Sequence, residues 1–337
     1  MKAYDLAIVG ATGMVGQEII KILERHRYPL SSIHLFASDR SAGRQVFVNH
    51  RQLEVREPTA SSFEGIDIAL FCAGAEVSRY FTPIAIQSGA VVVDNSAAFR
   101  LEPGNPLVVP EVNADDINSH KGVVANPCAI TIQLVMAINP LHLVNPIKRV
   151  IVSSYQAVSG MGSAAMEELT SQTKLVLAGQ SAVPHFYPHQ IAFNLLPEID
   201  VFLDSDYTKE EMRIIEETRK VMHLPELAIA ATCVQVPVFI GNSMTVNVEF
   251  SHPMSPDEAQ EILTRAPGVE VRDDPTVSLY PHPWSAVGLD TVLVGRIRRD
   301  LSHSNGLIMW VVTDNLRKGS ALNAIQIVGE MVKRGKL

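Results

Sequence analysis

The sequence predicts a two-part α/β protein, with a doubly wound parallel sheet first and an α+β region after it. Three observations carry this expectation. Short β-branched runs alternate with helical stretches through about residue 125. A glycine-rich turn joins the first run to the first helix. Beyond residue 128 the runs lengthen, alternate polar with apolar and follow one another with few helices between, which suits a mixed or antiparallel sheet.

Composition sets the outer bounds. A chain of 337 residues is long enough for two domains or one large one, and 47% hydrophobic with 19% charged residues is an ordinary globular mix. A formal net charge of −8 argues against a nucleic-acid partner. No apolar run reaches membrane-spanning length, and Met1-Lys-Ala-Tyr-Asp5 leads straight into a strand, so no signal peptide is visible. Cys72, Cys128 and Cys233 are too few and too scattered for a disulfide framework or a zinc site. His185, His189 and His282 read as loop residues without ligand spacing. The expectation is a soluble cytoplasmic protein that holds no metal.

Taken in order, Leu6-Ala-Ile-Val9 reads as a strand, Gly10-Ala-Thr-Gly13-Met-Val-Gly16 as a turn, and residues 17–25 as a helix. Glycines three apart at a strand–helix junction permit a tight turn, close approach of a phosphate and close helix–strand packing. That context, more than the triplet, points to dinucleotide binding. The second strand, Ile33-His-Leu-Phe-Ala37, ends at Ser38-Asp-Arg-Ser-Ala-Gly43. A site for NAD places a carboxylate there for the ribose 2′-OH, whereas a 2′-phosphate favours arginine and hydroxyls. Arg40, Ser38 and Ser41 favour NADP; Asp39 runs against it, and a solvated turn is the plainer alternative. Ile66-Asp-Ile-Ala-Leu-Phe71 and Ala90-Val-Val-Val-Asp94 read as buried parallel strands around a helix at 77–87. Arg100 follows the second of these, where an arginine can serve as an anion ligand or simply lie on the surface.

Gly122-Val-Val-Ala-Asn-Pro-Cys-Ala-Ile-Thr-Ile-Gln133 carries the chain into an apolar helix expected to start at Cys128. A thiol there sits among unpaired N–H groups at the positive end of the helix dipole, which favours a thiolate nucleophile. The alternative is a small apolar residue packed behind a turn. Further on, Arg149-Val-Ile-Val-Ser-Ser-Tyr-Gln156 alternates, Gly160-Met-Gly162 turns and residues 164–178 form a helix. Residues 232–240 and 244–250 read as an antiparallel pair joined at Gly241-Asn242, and 292–298 with 307–312 as another. The charge-rich helix at 209–220 reads as partly a solvated face, and Cys72 and Cys233 as core. A final amphipathic helix at 318–334 is expected to return to the first domain.

Over essentially its whole length the chain resembles the aspartate-β-semialdehyde dehydrogenase family. The resemblance lies in residues 10–16, 38–43, 91–100, Val109-Pro-Glu-Val-Asn113, Asn126-Pro127, Ser154-Tyr-Gln-Ala-Val-Ser-Gly160, 207–220 and Val311-Val-Thr-Asp-Asn-Leu-Arg-Lys-Gly319. It implies a Rossmann-type, doubly wound NADP-binding domain at 1–127, completed by a C-terminal helix at 315–337. Residues 128–314 become an α+β catalytic and dimerisation domain. It also implies a homodimer that reduces β-aspartyl phosphate with NADPH through a cysteine thioester, in amino-acid biosynthesis. Cofactor positions fall on Gly10, Thr12, Gly13, Met14, Val15, Gly16, Ser38, Arg40, Ser41, Ser159, Gly160 and Asn315. Gln156 matches the substrate-orienting glutamine and Arg100 a phosphate ligand. Glu210 matches a substrate position, and Arg213 replaces a phosphate-binding lysine.

Three positions depart from the family, and all three belong to the chemical step. The nucleophile's place falls on Ala129, with Cys128 one residue early; the carboxylate-binding arginine is Gln235; the acid–base histidine is Asn242. One residue along a helix is a rotation of about 100°, so Cys128 does not simply stand in for Ala129. The resemblance is closest to a Usg-type branch with Pro-Cys-Ala in this motif. Three readings stay open. The chain is a paralogue that binds NADP(H), with or without an anionic metabolite or a protein partner, and lacks the chemistry; or an active semialdehyde dehydrogenase using Cys128; or an oxidoreductase for another acyl or aldehyde substrate.

Overall fold

The computed structural model describes residues 3–26, 28–49 and 51–337; Met1 and Lys2, on the lead into the first strand, lie outside the described residues. The chain divides into two compact units, Met1–Cys128 with Ser320–Leu337, and Ala129–Gly319.

The first unit contains β1 (Tyr4–Val9), α1 (Met14–Arg25), β2 (Leu30–Phe36), β3 (Gln45–Val48), β4 (Arg51–Arg56), β5 (Ile68–Phe71), α2 (Ala75–Gln87), β6 (Val91–Asp94), α3 (Pro110–Asn113) and β7 (Val123–Ala125). They form a seven-stranded sheet in the order β3-β4-β2-β1-β5-β6-β7. Every pairing is parallel except β3 with β4. The central strands read as unbroken apolar runs because both faces are covered. On one face Leu6 and Ile8 pack with Ile19 and Ile22 of α1 and with Ile325 and Val328 of the C-terminal helix, Leu322–Arg334. On the other, Ala7 and Val9 pack with Phe63, Phe71 and Ala85. The β3–β4 hairpin is absent from the sequence reading. It lies at the sheet edge, and its arginines and glutamate blur the alternation that would have marked it.

The second unit comprises α4 (Ala129–Val144), β8 (Ile147–Ala157), α5 (Ser163–Leu177), α6 (Lys209–Val221), β9 (Ala228–Val236), β10 (Asn242–Phe250), α7 (Pro256–Arg265), β11 (Val269–Val271), α8 (Pro283–Ala286), β12 (Val292–Arg299) and β13 (Gly306–Thr313). Its six-stranded mixed sheet runs β11-β12-β13-β10-β8-β9. Three expectations are corrected. The apolar helix starts at Ala129, so Cys128 precedes it rather than opening it. β9 and β10 are not a hairpin: β9 pairs parallel to β8 and β10 antiparallel to β8's other side. Pro237 has no N–H for a ladder, and Val238 and Phe239 instead accept from Val158 and Ser159, which carries the chain past the end of β8. Finally, α6 buries three of its glutamates, Glu210, Glu211 and Glu217, so its charge is less solvated than its composition suggests.

Candidate functional site

The glycine-rich turn is assembled at the carboxyl ends of β1 and β2. Gly10 has φ +91°, and a Cβ there would meet the Cys72 carbonyl at 2.8 Å; one on Gly16 would come within 2.3 Å of Gly10 O. Both positions therefore require glycine. Gly13 precedes α1 without a side-chain cap, and the first turn carries no carboxylate, which leaves an N-terminus suited to an anion. Thr12 donates to Ser41 at 3.2 Å, tying this turn to the one after β2. Asp39 accepts the Arg40 backbone N–H at 2.7 Å, so this carboxylate is engaged within its own turn. Arg40 is exposed beside it.

Farther along the same edge, an amide ladder fixes the loop before Cys128. Asn126 is buried; its Nδ2 donates to Asn95 Oδ1 at 2.8 Å, and its Oδ1 accepts from Asn323 at 2.6 Å. Arg100 lies across two carbonyls, donating from Nε to Asn126 O at 2.9 Å and from Nη2 to Asn95 O at 2.7 Å. Cys128 follows, buried, immediately ahead of α4. The other thiols are poor nucleophiles. Burial pushes Cys233 up to about 12, and burial, helped by the Asp94 charge, pushes Cys72 higher still.

In the second unit, the ends of β9, β8 and β10 bring Gln235, Gln156 and Asn242 together. Gln156 and Gln235 are register partners, and Ser243, next to Asn242, pairs with Tyr155. All three amides are buried. Gln235 Nε2 donates to Gln156 O at 2.6 Å, while Asn242 Oδ1 accepts from Ala157 N at 2.9 Å. Gln156 Nε2 reaches Ser154 Oγ at 3.3 Å and Glu210 Oε1 at 3.5 Å. Ala129 is the first residue of α4, and a Cβ on Gly319 would come within 3.0 Å of its methyl. Ser159 and Asn315 bond each other at 2.9 Å, and Asn315 also accepts from Gly241 N, with Gly160 next in the loop. Arg213 pairs with Glu210 at 3.1 Å and with Asp200 at 2.7 Å, so two carboxylates already engage this cation.

Sequence reasoning missed several of these groups. Asp200, Asn95 and Asn323 gave no local signal, because their partners lie across a turn or at the far end of the chain. Glu211 did give one. Thr208-x-x-Glu211 is a capping box, and Glu211 also accepts Cys233 N at 3.0 Å, tying α6 to β9. Among the described residues no cluster of histidine, cysteine or carboxylate could hold a metal ion, and no helix is long and apolar enough to cross a membrane.

Comparison with known proteins extends this picture. The family model described as "Semialdehyde dehydrogenase, NAD binding domain" matches residues 5–120, and "Semialdehyde dehydrogenase, dimerisation domain" matches 138–318. The aspartate-semialdehyde dehydrogenase of Bacillus subtilis is 46% identical over 340 residues, covering 98% of each chain. That of Aquifex aeolicus is 48% identical over 336 residues, 98% of this chain and 99% of the relative. Among solved structures, aspartate semialdehyde dehydrogenase II from Vibrio cholerae, complexed with ASA, matches with a TM-score of 0.96 at 40% identity over 99% of both chains.

Proposed function

The chain belongs to the aspartate-semialdehyde dehydrogenase family, and from that premise we propose that it binds NADP(H) and an anionic metabolite while its thioester and hydride chemistry is lost or strongly impaired. The observation that carries this reading is how Gln235 and Asn242 are used. Each stands where the family resemblance calls for a charged or titrating group, and each spends its amide on a neighbouring backbone. A buried amide cannot grip a carboxylate with the charged fork of an arginine, nor shuttle a proton near neutral pH. Such replacements, with Ala129 at the nucleophile's place, favour the Usg-type branch.

The nucleotide half fits its cofactor. Gly10 and Gly16 hold a cradle that any Cβ would fill, and α1 offers an uncapped N-terminus for the pyrophosphate. When bound, NADP(H) would supply the hydride chemistry. Arg40 with Ser38 and Ser41 would hold a 2′-phosphate, while Asp39 accepts the Arg40 backbone N–H within its own turn. NADPH is therefore expected to bind more tightly than NADH. Arg40→Ala should weaken NADPH about 10- to 100-fold, the loss of one charge-assisted contact, and leave NADH nearly unchanged. Fluorescence titration of both nucleotides checks this, and equal affinities would overturn the assignment. The same purified protein should give only background turnover with aspartate semialdehyde, phosphate and NADP.

Arg100, held by two carbonyls at the ends of β6 and β7, is the favoured ligand for an anionic metabolite. By the family resemblance, Gln156, Glu210 and Arg213 are the substrate and phosphate positions within the second unit. The dimerisation-domain match supports a homodimer built through the second unit. One observation favours a second reading, an active enzyme for this or another acyl or aldehyde substrate. Cys128 directly precedes α4, where N–H groups and the helix dipole favour a thiolate. Its burial works against that reading.

A further inference from the structure

Gln235 and Asn242 do more than vacate two chemical places, because their amides impose a new polarity on the site. Gln156 and Gln235 are register partners in the parallel β8–β9 ladder, so they project from one face of the sheet. Asn242 joins them there, since its neighbour Ser243 pairs with Tyr155 on the opposite face. Gln235 is 1% exposed and Asn242 3%, so a polar atom left unpaired on either one is costly. The backbone that carries Gln235 is held on both sides. It pairs with Gln156 in the ladder, while Gln235 N donates to Leu196 O at 2.8 Å and Leu196 N to Gln235 O at 3.0 Å.

The partners fix which way each amide faces. A peptide carbonyl only accepts, so Gln235 must turn its amino group to Gln156 O at 2.6 Å, and its Oε1 remains as an acceptor. A peptide N–H only donates, so Asn242 must turn Oδ1 to Ala157 N at 2.9 Å, and its Nδ2 remains as a donor. Among the described residues neither remaining atom has a hydrogen-bond partner, and neither is one of the fully enclosed orphans, so both open onto accessible space. By the family resemblance the place of Gln235 belongs to an arginine, which offers only donors; here it offers a lone pair. A carboxylate would set oxygen against oxygen. The cation on α6 does not compensate. Arg213 already faces Glu210 at 3.1 Å and Asp200 at 2.7 Å, two carboxylates against one guanidinium.

We propose that this site selects a primary carboxamide where the family's substrate presents a carboxylate. The ligand's N–H donates to Gln235 Oε1, and its carbonyl oxygen accepts from Asn242 Nδ2. An ammonium group would satisfy only the first of these atoms, and a carboxylate only the second. A carboxamide satisfies both and brings no charge into a site that has no spare cation on α6. The proposal rests on the reading that Gln235 and Asn242 have displaced the family's chemistry. It concerns binding alone, with no bond made or broken.

Two probes that differ only in this group test it: isoasparagine, which is aspartate with its α-carboxyl as a primary amide, and aspartate itself. In calorimetric titration of the unaltered chain, isoasparagine should bind at least about tenfold more tightly than aspartate. Gln235→Arg should reverse the order, because it restores donors to that place. Gln235→Met keeps the side chain's length without its amide and should erase the preference. Circular dichroism and NADPH titration should report folded proteins for both variants. Equal affinities, a preference for aspartate, no binding of either probe at millimolar concentration, or a preference that survives Gln235→Met would each overturn the proposal. The reading beneath it fails separately, by robust turnover of aspartate semialdehyde in the unaltered chain, which titration with these unreactive probes does not register.

Discussion

The variant combining Cys128→Asn, Ala129→Cys, Gln235→Arg and Asn242→His is expected to gain phosphate-dependent reduction of NADP with aspartate semialdehyde, at least about 10²-fold above the unaltered chain. A cysteine at 129 would occupy the first residue of α4, beside the close approach of Gly319. An arginine at 235 could keep the donation to Gln156 O and still offer further donors to a carboxylate. A histidine at 242 would exchange the Ala157 contact for a group that titrates near neutrality. Single reversions should each give almost nothing, because nucleophile, proton shuttle and clamp act as a unit. Initial-rate assays of the four single variants and the combination check this. A folded combination without activity would mean that the pocket has diverged beyond these positions.

Glu211→Ala should be the most damaging single change outside the chemical positions. Its carboxylate accepts Thr208 N at 2.7 Å and Cys233 N at 3.0 Å, closing the N-terminus of α6 and pinning that helix to β9. Removing it leaves two buried N–H groups without acceptors, at about 1–3 kcal/mol each, so a loss of about 2–6 kcal/mol is expected. For a unit of this size that corresponds to a fall of about 4–24 °C in Tm. Thermal unfolding followed by circular dichroism measures it, and a change below about 1 °C would show that water replaces the carboxylate.

Local constraint decides what could be read from the sequence. The turn at 10–16 was legible because Gly10 and Gly16 are required by contacts within one strand–turn–helix, and the alternation of strand and helix gave the first sheet. Pairing between distant strands was not. Residues 232–240 and 244–250 look like a hairpin, yet β8 lies between them in the sheet, a non-local outcome enforced by Pro237 and the carbonyls after it. In the candidate site, the family resemblance singled out residue identities at 129, 235 and 242. What those residues do instead was legible only once β8, β9 and β10 were aligned. The ladder from Asn95 through Asn126 to Asn323 spans most of the chain and has no local pattern.

The most direct measurement compares the unaltered chain with Cys128→Ser, under saturating NADP, phosphate and aspartate semialdehyde, following NADPH formation by the absorbance of the reduced nicotinamide. With Ala129, Gln235 and Asn242 in the three chemical places, both proteins are expected to give the same background rate while still binding NADPH. Robust turnover that disappears in Cys128→Ser would contradict this and establish Cys128 as a working nucleophile.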